Sequence, residues 1–365
     1  MENKTSIKEI ANLLKITKED GIEFVFLSPP GIGKTAIIEK YFGNMGMKVA
    51  TITPSSMDRE DWKGIKTIDF AAIHNNGSKE TRLISTRPSW LDADVLFIDE
   101  ITNASKWEMT PIMKLITERM IGEHKFGGKI VAAGNTPENS VLAENLPETI
   151  RTRLVPVVLK ADPEFYRPYF IKKGLNIISD FLRYLSAEDF DNISDDPTKG
   201  STNPRTLEKV GTIVNKKELS YELKESLAIQ ALGSSNGIKF INFLKSYLKQ
   251  ISQDELKTMD TEELKKRIES LPFDAKVATF NNVVKNLIEF ENEEFLIRSI
   301  NQLKVAHDID AVINEIVIEN LAISLNEESL KKIFAELKDL KNINFFKKIM
   351  KDIEEKEKEI KKYFV

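Results

Sequence analysis

Ser28-Pro29-Pro30-Gly31-Ile32-Gly33-Lys34-Thr35 is the stretch that decides how this chain folds. Before it stands Glu23-Phe24-Val25-Phe26-Leu27, which reads as a short buried strand. After it the apolar residues Ile37, Ile38, Tyr41 and Phe42 recur at helical spacing, and Gly43 stops the helix. Lys48 to Thr53 then reads as a second strand. Strand, helix and strand within about 30 residues make a βαβ unit, so the sheet is expected to be parallel. The glycines let the backbone curl until successive N–H groups face one point, and the helix that follows presents its positive end there. Such a loop cradles phosphate oxygens, with Pro30, Gly31, Ile32, Gly33, Lys34, Thr35 and Ala36 as the candidate contacts. Lys34 would bridge the β- and γ-phosphates of a nucleotide, and Thr35 would offer its hydroxyl to magnesium. A chance Gly-X-Gly-Lys-Thr is expected in roughly one chain in a hundred of this length. Its place between a buried strand and an amphipathic helix argues against chance. Ser28 stands where the usual pattern has glycine, a change expected to alter only the flexibility of the loop.

Working outward, the 39 residues from Pro54 to Asp92 do not read as a plain crossover helix, and His74 to Lys79 has the polar character of a loop tip or hairpin turn. Val95-Leu96-Phe97-Ile98-Asp99-Glu100 is an unbroken apolar strand that delivers two acids at its carboxyl end, where α/β sheets bind ligands. Asp99 is the candidate magnesium ligand, and Glu100 is placed to polarise an attacking water. The same pair could instead cap a helix. Met109, Ile112, Met113, Ile116 and Met120 outline one helical face. Lys129 to Gly134 reads as a further buried strand and puts Asn135 at the same sheet edge, as a water-orienting amide or a simple turn residue. Leu154 to Leu159 completes the sheet, with Pro156 favouring an edge position. From Asp162 onward the signals are helical, broken most clearly at Leu271-Pro272-Phe273-Asp274, and Lys347 to Lys362 reads as a solvated Lys/Glu helix face.

Composition narrows the classes. The 365 residues suit two or three domains, 30% are charged, and the net charge of −4 gives no reason to expect a general nucleic-acid or membrane-surface binder. The absence of cysteine excludes disulfides and thiolate metal sites and suggests a cytoplasmic protein. His74, His124 and His307 lie in no metal-ligand spacing. The first ten residues are too polar for a secretory signal, and no apolar run approaches the roughly 20 residues that span a bilayer. Nine of the eleven arginines fall in the first 205 residues, against 18 of the 42 lysines. In a lysine-rich chain a retained arginine hints that its planar fork is in use.

On these motifs residues 21 to 250 resemble the AAA+ ATPases of the MoxR branch, which carry an insertion after the second strand. The matching stretches are SPPGIGKT (28–35), VLFIDE (95–100), AAGNTPE (132–138), NLPETIRTRL (145–154) and GSTNPRTLEK (200–209), with Met57 to Gly64 and Arg87 to Leu91 framing the insertion. The resemblance implies an α/β core over residues 1–160 with its insertion near 54–92, a helical lid over 161–250 and a helical extension over 251–365. It implies Asn135 as a sensor of the γ-phosphate and Arg205 as a second sensor on the lid. Arg153 becomes the finger reaching a neighbouring subunit's nucleotide, with Arg151 as its rival or helper. ATP and Mg2+ are then the expected ligands, and a ring, expected as a hexamer, the expected assembly. Ser220 to Tyr247 also resembles the lid ends of bacterial MoxR-branch ATPases commonly associated with von Willebrand factor A domain proteins. The implied activity is chaperone-like remodelling of a protein partner, with no role in the membrane. His74 to Lys79 offers no aromatic grip for a threaded chain. Alternatives are a nucleotide-switched scaffold with little turnover, a metal-chelatase subunit and a nucleic-acid motor. The acidic balance speaks against the last of these.

Overall fold

The computed structural model describes residues 4–69, 82–136, 143–191, 198, 200–337 and 340–364. The chain divides into two compact units, Met1–Ala161 and Asp162–Val365.

The first unit opens with β1 (Thr5–Ser6), α1 (Ile10–Asp20), β2 (Phe24–Leu27), α2 (Lys34–Asn44) and β3 (Val49–Ile52). The insertion follows as α3 (Arg59–Lys63), β4 (Lys66–Asp69) and β5 (Arg82–Ser85). Then come β6 (Val95–Ile98), α4 (Lys106–Glu118), β7 (Met120–Ile121), β8 (His124–Lys125), β9 (Lys129–Gly134), α5 (Glu148–Arg151) and β10 (Val155–Lys160). Six strands form one sheet in the order β1-β10-β2-β9-β6-β3, and every pair is parallel. A parallel sheet is covered on both faces, and β6 and β9 are accordingly buried along nearly their whole length. Val25, Leu96, Ile98, Ile130 and Ala132 pack with Ile112, Leu115 and Ile116 of α4 in one apolar cluster. Each large aliphatic side chain there contributes about 1.5–3 kcal/mol by leaving water.

The helix expected from Ser6 to Lys15 runs further, because Gly21 supplies the left-handed cap (φ 72°) only after Asp20. Met120 does not belong to the α4 face. Arg119 takes a left-handed conformation (φ 57°) that ends the helix, and Met120 turns into the small β7–β8 hairpin. Pro156 is not on a sheet edge in the simple sense, since β1 flanks β10 at Leu159 and Lys160. The amide of Val155 donates to the Glu23 carbonyl of the β2 side (2.8 Å), so alternation turns the Pro156 ring the other way. β1 is two residues long and does not reach it, and no ladder bond is lost. The expected hairpin of the insertion is present in its legs, with Lys66 paired to Ser85 and Asp69 to Arg82. Its tip, His74 to Lys79, lies outside the described residues. Trp62, fully buried, meets Trp90 edge to face at 6.3 Å, so the two segments that frame the insertion pack on each other.

Among the described residues the second unit contains helices only. Its first part holds α6 (Pro163–Lys172), α7 (Asn176–Phe181), α8 (Glu188–Asp191), α9 (Pro204–Val214), α10 (Tyr221–Leu232) and α11 (Ser234–Tyr247). Its second part holds α12 (Gln253–Thr258), α13 (Thr261–Glu269), α14 (Phe273–Ile288), α15 (Glu293–Ile309), α16 (Ala311–Ser324), α17 (Glu327–Glu336) and α18 (Leu340–Phe364). Starts are set by side chains that accept from orphaned amides. Asn203 caps α9 with Pro204 in its first turn, Asp162 and Pro163 do the same for α6, and Pro272 ends the break before α14.

Both parts of this unit share a buried polar seam. Arg167 of α6 is 2% exposed and donates to Glu319 of α16 (2.7 Å), to Glu164 (2.8 Å) and to the carbonyl of Ser179 (3.3 Å). Asn281 of α14 donates to Asp180 of α7 (2.7 Å), and Asn320 donates to Asn281 in turn. Burial raises the Asp180 carboxyl to about 6, although Arg183 and Arg167 pull it down. Residues on either side of position 250 therefore meet through these polar contacts, while Ile251 to Ile353 also supply an apolar cluster of their own.

Candidate functional site

The parallel register aligns the carboxyl ends of three neighbouring strands. Leu27 is level with Gly134, and Ile98 is level with Ala132. Ser28, Asp99 and Asn135, the residues that leave β2, β6 and β9, consequently emerge at one edge of the sheet.

The loop after β2 curls as its glycines allow. Gly31 and Gly33 have φ of 82° and 96°, and Gly33 is the N-cap of α2. A side chain at Gly33 would be strained by that φ, while the only heavy atom near an added Cβ is Ile37 Cδ1 at 3.9 Å. Lys34 begins α2 and is 8% exposed. Its ammonium donates to Ser28 Oγ (2.7 Å) and more weakly to the Pro29 carbonyl (3.4 Å). Burial pushes the ammonium down to about 8, and the carboxylates of Asp99 and Glu100 work against that shift. Thr35, one residue on, donates its hydroxyl to Asp99 Oδ2 at 2.6 Å. A hydroxyl and a carboxylate oxygen are thus in contact across the loop and the end of β6. That oxygen donor pair suits a hard cation such as Mg2+, which is completed by phosphate and water oxygens rather than by an all-protein cage. Among the described residues no group of three or more histidines and acids could hold a metal by itself.

Asp99 Oδ1 accepts from the Glu100 amide (2.9 Å), which fixes its carboxylate. Glu100 is exposed and takes a left-handed conformation, φ 53° and ψ 36°, unusual for a residue with a Cβ. Its carboxylate accepts from Asn103 Nδ2 at 3.3 Å. The acids do not cap an α-helix: the turn after Glu100 is a single 3-10 turn, Ile101–Asn103, with no side-chain cap. Asn135 is half-buried, and its amide donates to Thr102 Oγ1 (3.0 Å). Thr102 is 2% exposed, and its carbonyl accepts from the Glu144 amide as well. Gly134 permits this approach, since a Cβ there would lie 2.7 Å from two Thr102 side-chain atoms.

Seven of the eleven arginines fall into two groups. Arg87 pairs with Asp92, Arg119 with the buried Glu23, Arg167 with Glu164 and Glu319, and Arg183 lies 3.6 Å from Glu319. Of these, Arg167 is the buried one, while the Arg87–Asp92 pair is exposed on both sides. Arg151 and Arg153 are exposed and reach only carbonyls of their own segment, those of Leu146 (3.1 Å) and Thr149 (3.2 Å). Arg205 is exposed in the first turn of α9 in the second unit. None of these three pairs with a carboxylate among the described residues.

Two residues of the site were not legible in the sequence. Ser28 stands out there only as a departure from glycine, because its hydroxyl's reach to Lys34 depends on how the loop curls. Thr102 carries no signal at all, because its support of Asn135 joins residues 33 apart in sequence.

Residues 24–157 match the profile of the family described as ATPase family associated with various cellular activities (AAA), so this part of the chain is an AAA domain. Among curated protein sequences none matches the chain. Similar solved structures include a mutant of Thermotoga maritima RuvB, 17% identical, covering 80% of each chain with a TM-score of 0.31. The Thermotoga maritima RuvB Holliday junction branch migration motor is 17% identical, covering 91% of this chain and 94% of that one with a TM-score of 0.29. The replication initiator DnaA bound to AMPPCP and single-stranded DNA is 12% identical, covering 93% of each with a TM-score of 0.34. No described helix is long and apolar enough to cross a membrane.

Proposed function

From the premise that residues 24–157 are an AAA domain, we propose that this chain is a Mg2+-dependent ATPase of the MoxR branch that works as a ring and remodels a protein partner. The observation that carries the hydrolytic part is the contact of Thr35 with Asp99 at 2.6 Å, with Lys34 one residue away and Glu100 the next residue along. Backbone amides of residues 31–36 meet the phosphate oxygens, and the Lys34 ammonium offsets charge on the β- and γ-phosphates. Thr35 and Asp99 would hold Mg2+, which when bound would supply electrostatic stabilisation of the phosphate oxygens. Glu100 takes a proton from the attacking water while Asn135 orients that water. The new bond joins the water oxygen to the γ-phosphorus, and the β–γ bridging oxygen leaves with ADP. Arg153 serves the site of an adjacent copy in this reading, with Arg151 as its rival, and Arg205 serves as the sensor borne by the lid. The exposure of all three without carboxylate partners among the described residues supports such roles. A hexamer is the proposed ring size, and a von Willebrand factor A domain protein is the proposed partner.

The test is specific ATPase activity against protein concentration, with Arg153→Ala alongside. The reading expects activity per chain to rise with concentration as the ring assembles, and Arg153→Ala to lose about 10³-fold or more. Tight ATP binding and ring assembly with no turnover at any concentration, partner present or not, would replace it with a nucleotide-switched scaffold.

A further inference from the structure

Ser28 is completely buried, and its hydroxyl is committed in both directions. The single proton goes to the Pro29 carbonyl (2.9 Å), which turns the oxygen lone pairs toward the Lys34 ammonium 2.7 Å away. The residue is itself anchored, since its amide donates to the Gly134 carbonyl of β9 at 3.3 Å. We infer that Ser28 is a positioning residue of the phosphate loop, holding the Lys34 ammonium in the loop and away from Asp99. The inference rests on the nucleotide reading above.

Two features of the site make such a hold useful. Lys34 ends in a compact charge on a flexible four-carbon stem, so its position has to come from its partners. Asp99 and Glu100 both attract that charge, yet no ion pair joins Lys34 to either acid among the described residues. Asp99 instead keeps one oxygen for Thr35 and the other for the Glu100 amide. An ammonium released from Ser28 would move toward Asp99 and compete with magnesium for it. Glycine at this position, the residue of the usual pattern, has no oxygen with which to prevent this. Two of the three ammonium protons are directed at Ser28 and Pro29, and the third is left for a phosphate oxygen.

The experiment is binding of a fluorescent ATP analogue at fixed and at varied MgCl2, for the full chain, Ser28→Ala, Ser28→Gly and Ser28→Thr, with thermal melts as a folding control. Ser28→Ala and Ser28→Gly are expected to bind about tenfold more weakly, the scale of one charge-assisted hydrogen bond. Both are expected to need several-fold more Mg2+ for half-saturation, a change that a merely loosened loop would not produce. Ser28→Thr keeps the hydroxyl and is expected to stay within about threefold of the parent. The two hydroxyl-free variants differ in bulk, so a folding defect confined to one leaves the other to decide. Unchanged affinity in the hydroxyl-free variants, an unchanged Mg2+ requirement, or a Ser28→Thr as weak as Ser28→Ala would overturn the inference alone. Failure of the unmodified chain to bind the analogue would sink the nucleotide reading and this inference with it.

Discussion

Replacing Arg167 by methionine tests the polar seam of the helical unit, because methionine nearly fills the same space and removes only the charge and its donors. Arg167 is 2% exposed and makes hydrogen bonds to Glu319, Glu164 and the Ser179 carbonyl. Glu319 is itself almost buried, while Glu164 is half exposed and can turn to solvent. Breaking a buried pair by removing one partner costs about 3–5 kcal/mol, and here Arg183, 3.6 Å from Glu319, offsets the charge left behind only in part. In a unit of this size each kcal/mol lowers the melting temperature by about 2–4 °C, so a fall of roughly 6–20 °C is expected. The loss should also depend on pH. Asp180 has a folded-state carboxyl raised to about 6, and a carboxyl raised on folding favours the native state only while protonated. Its contribution therefore falls as pH rises from about 4 to about 6. Arg167 is one of the groups that pull this carboxyl down, so without it the folded value climbs and the window widens upward. The deficit of Arg167→Met should consequently be larger at pH 7.5 than at pH 5, by about 1.4 kcal/mol for each unit of further shift. Chemical denaturation at the two pH values reads both quantities. A loss below about 1 kcal/mol, or a deficit that shrinks toward pH 7.5, would refute the reasoning.

Three further outcomes are expected. Gly33→Ala should cost only about 1 kcal/mol in stability, because Ile37 Cδ1 is the sole neighbour of the new Cβ, yet weaken ATP binding at least tenfold by forcing a φ of 96° on alanine; paired melts and nucleotide titrations separate the two effects. Gly134→Ala should lose about 1–3 kcal/mol and lower ATP turnover, since its Cβ would meet Thr102 at 2.7 Å and displace the contact that holds Asn135; turnover equal to that of the parent would contradict this. Glu23→Ala should cost about 2 kcal/mol by melt, largely from the Ile130 amide that Glu23 accepts at 2.6 Å, with Arg119 adding little because it is a third exposed.

The α/β core was legible because its signals are local. A buried strand, a glycine loop, an amphipathic helix and an acid pair at a strand end each announce themselves within a few residues, and the parallel register then brings Ser28, Asp99 and Asn135 to one edge. What escaped depends on contacts between distant residues. The Ser28–Lys34 bond needs the curl of the loop, Thr102 reaches Asn135 across 33 positions, and Arg167 meets Glu319 across 152. Local backbone choices also moved element ends. Arg119 in a left-handed conformation cut Met120 from its helix, and Gly21 rather than Lys15 ended the first one. The arginine bias was a signal with mixed causes: Arg87, Arg119, Arg167 and Arg183 lie at carboxylates, the Arg167 pair buried and the Arg87 pair exposed, while Arg151, Arg153 and Arg205 do not. The helical face patterns after residue 250 identified helices but not the seam that joins them to α6 and α7, since that seam is built from Asn281, Glu319 and Asn320, which periodicity counts as polar.

The most direct test of the central claim is a single-turnover measurement of Mg2+-ATP hydrolysis by the purified chain beside Glu100→Gln, with bound nucleotide quantified in both. The account predicts that both bind ATP and that the variant cleaves it about 10²–10⁴-fold more slowly, as removal of a positioned proton acceptor requires. Equal cleavage rates in the two proteins would contradict the assignment of Glu100, and an absence of bound ATP in both would contradict the nucleotide site itself.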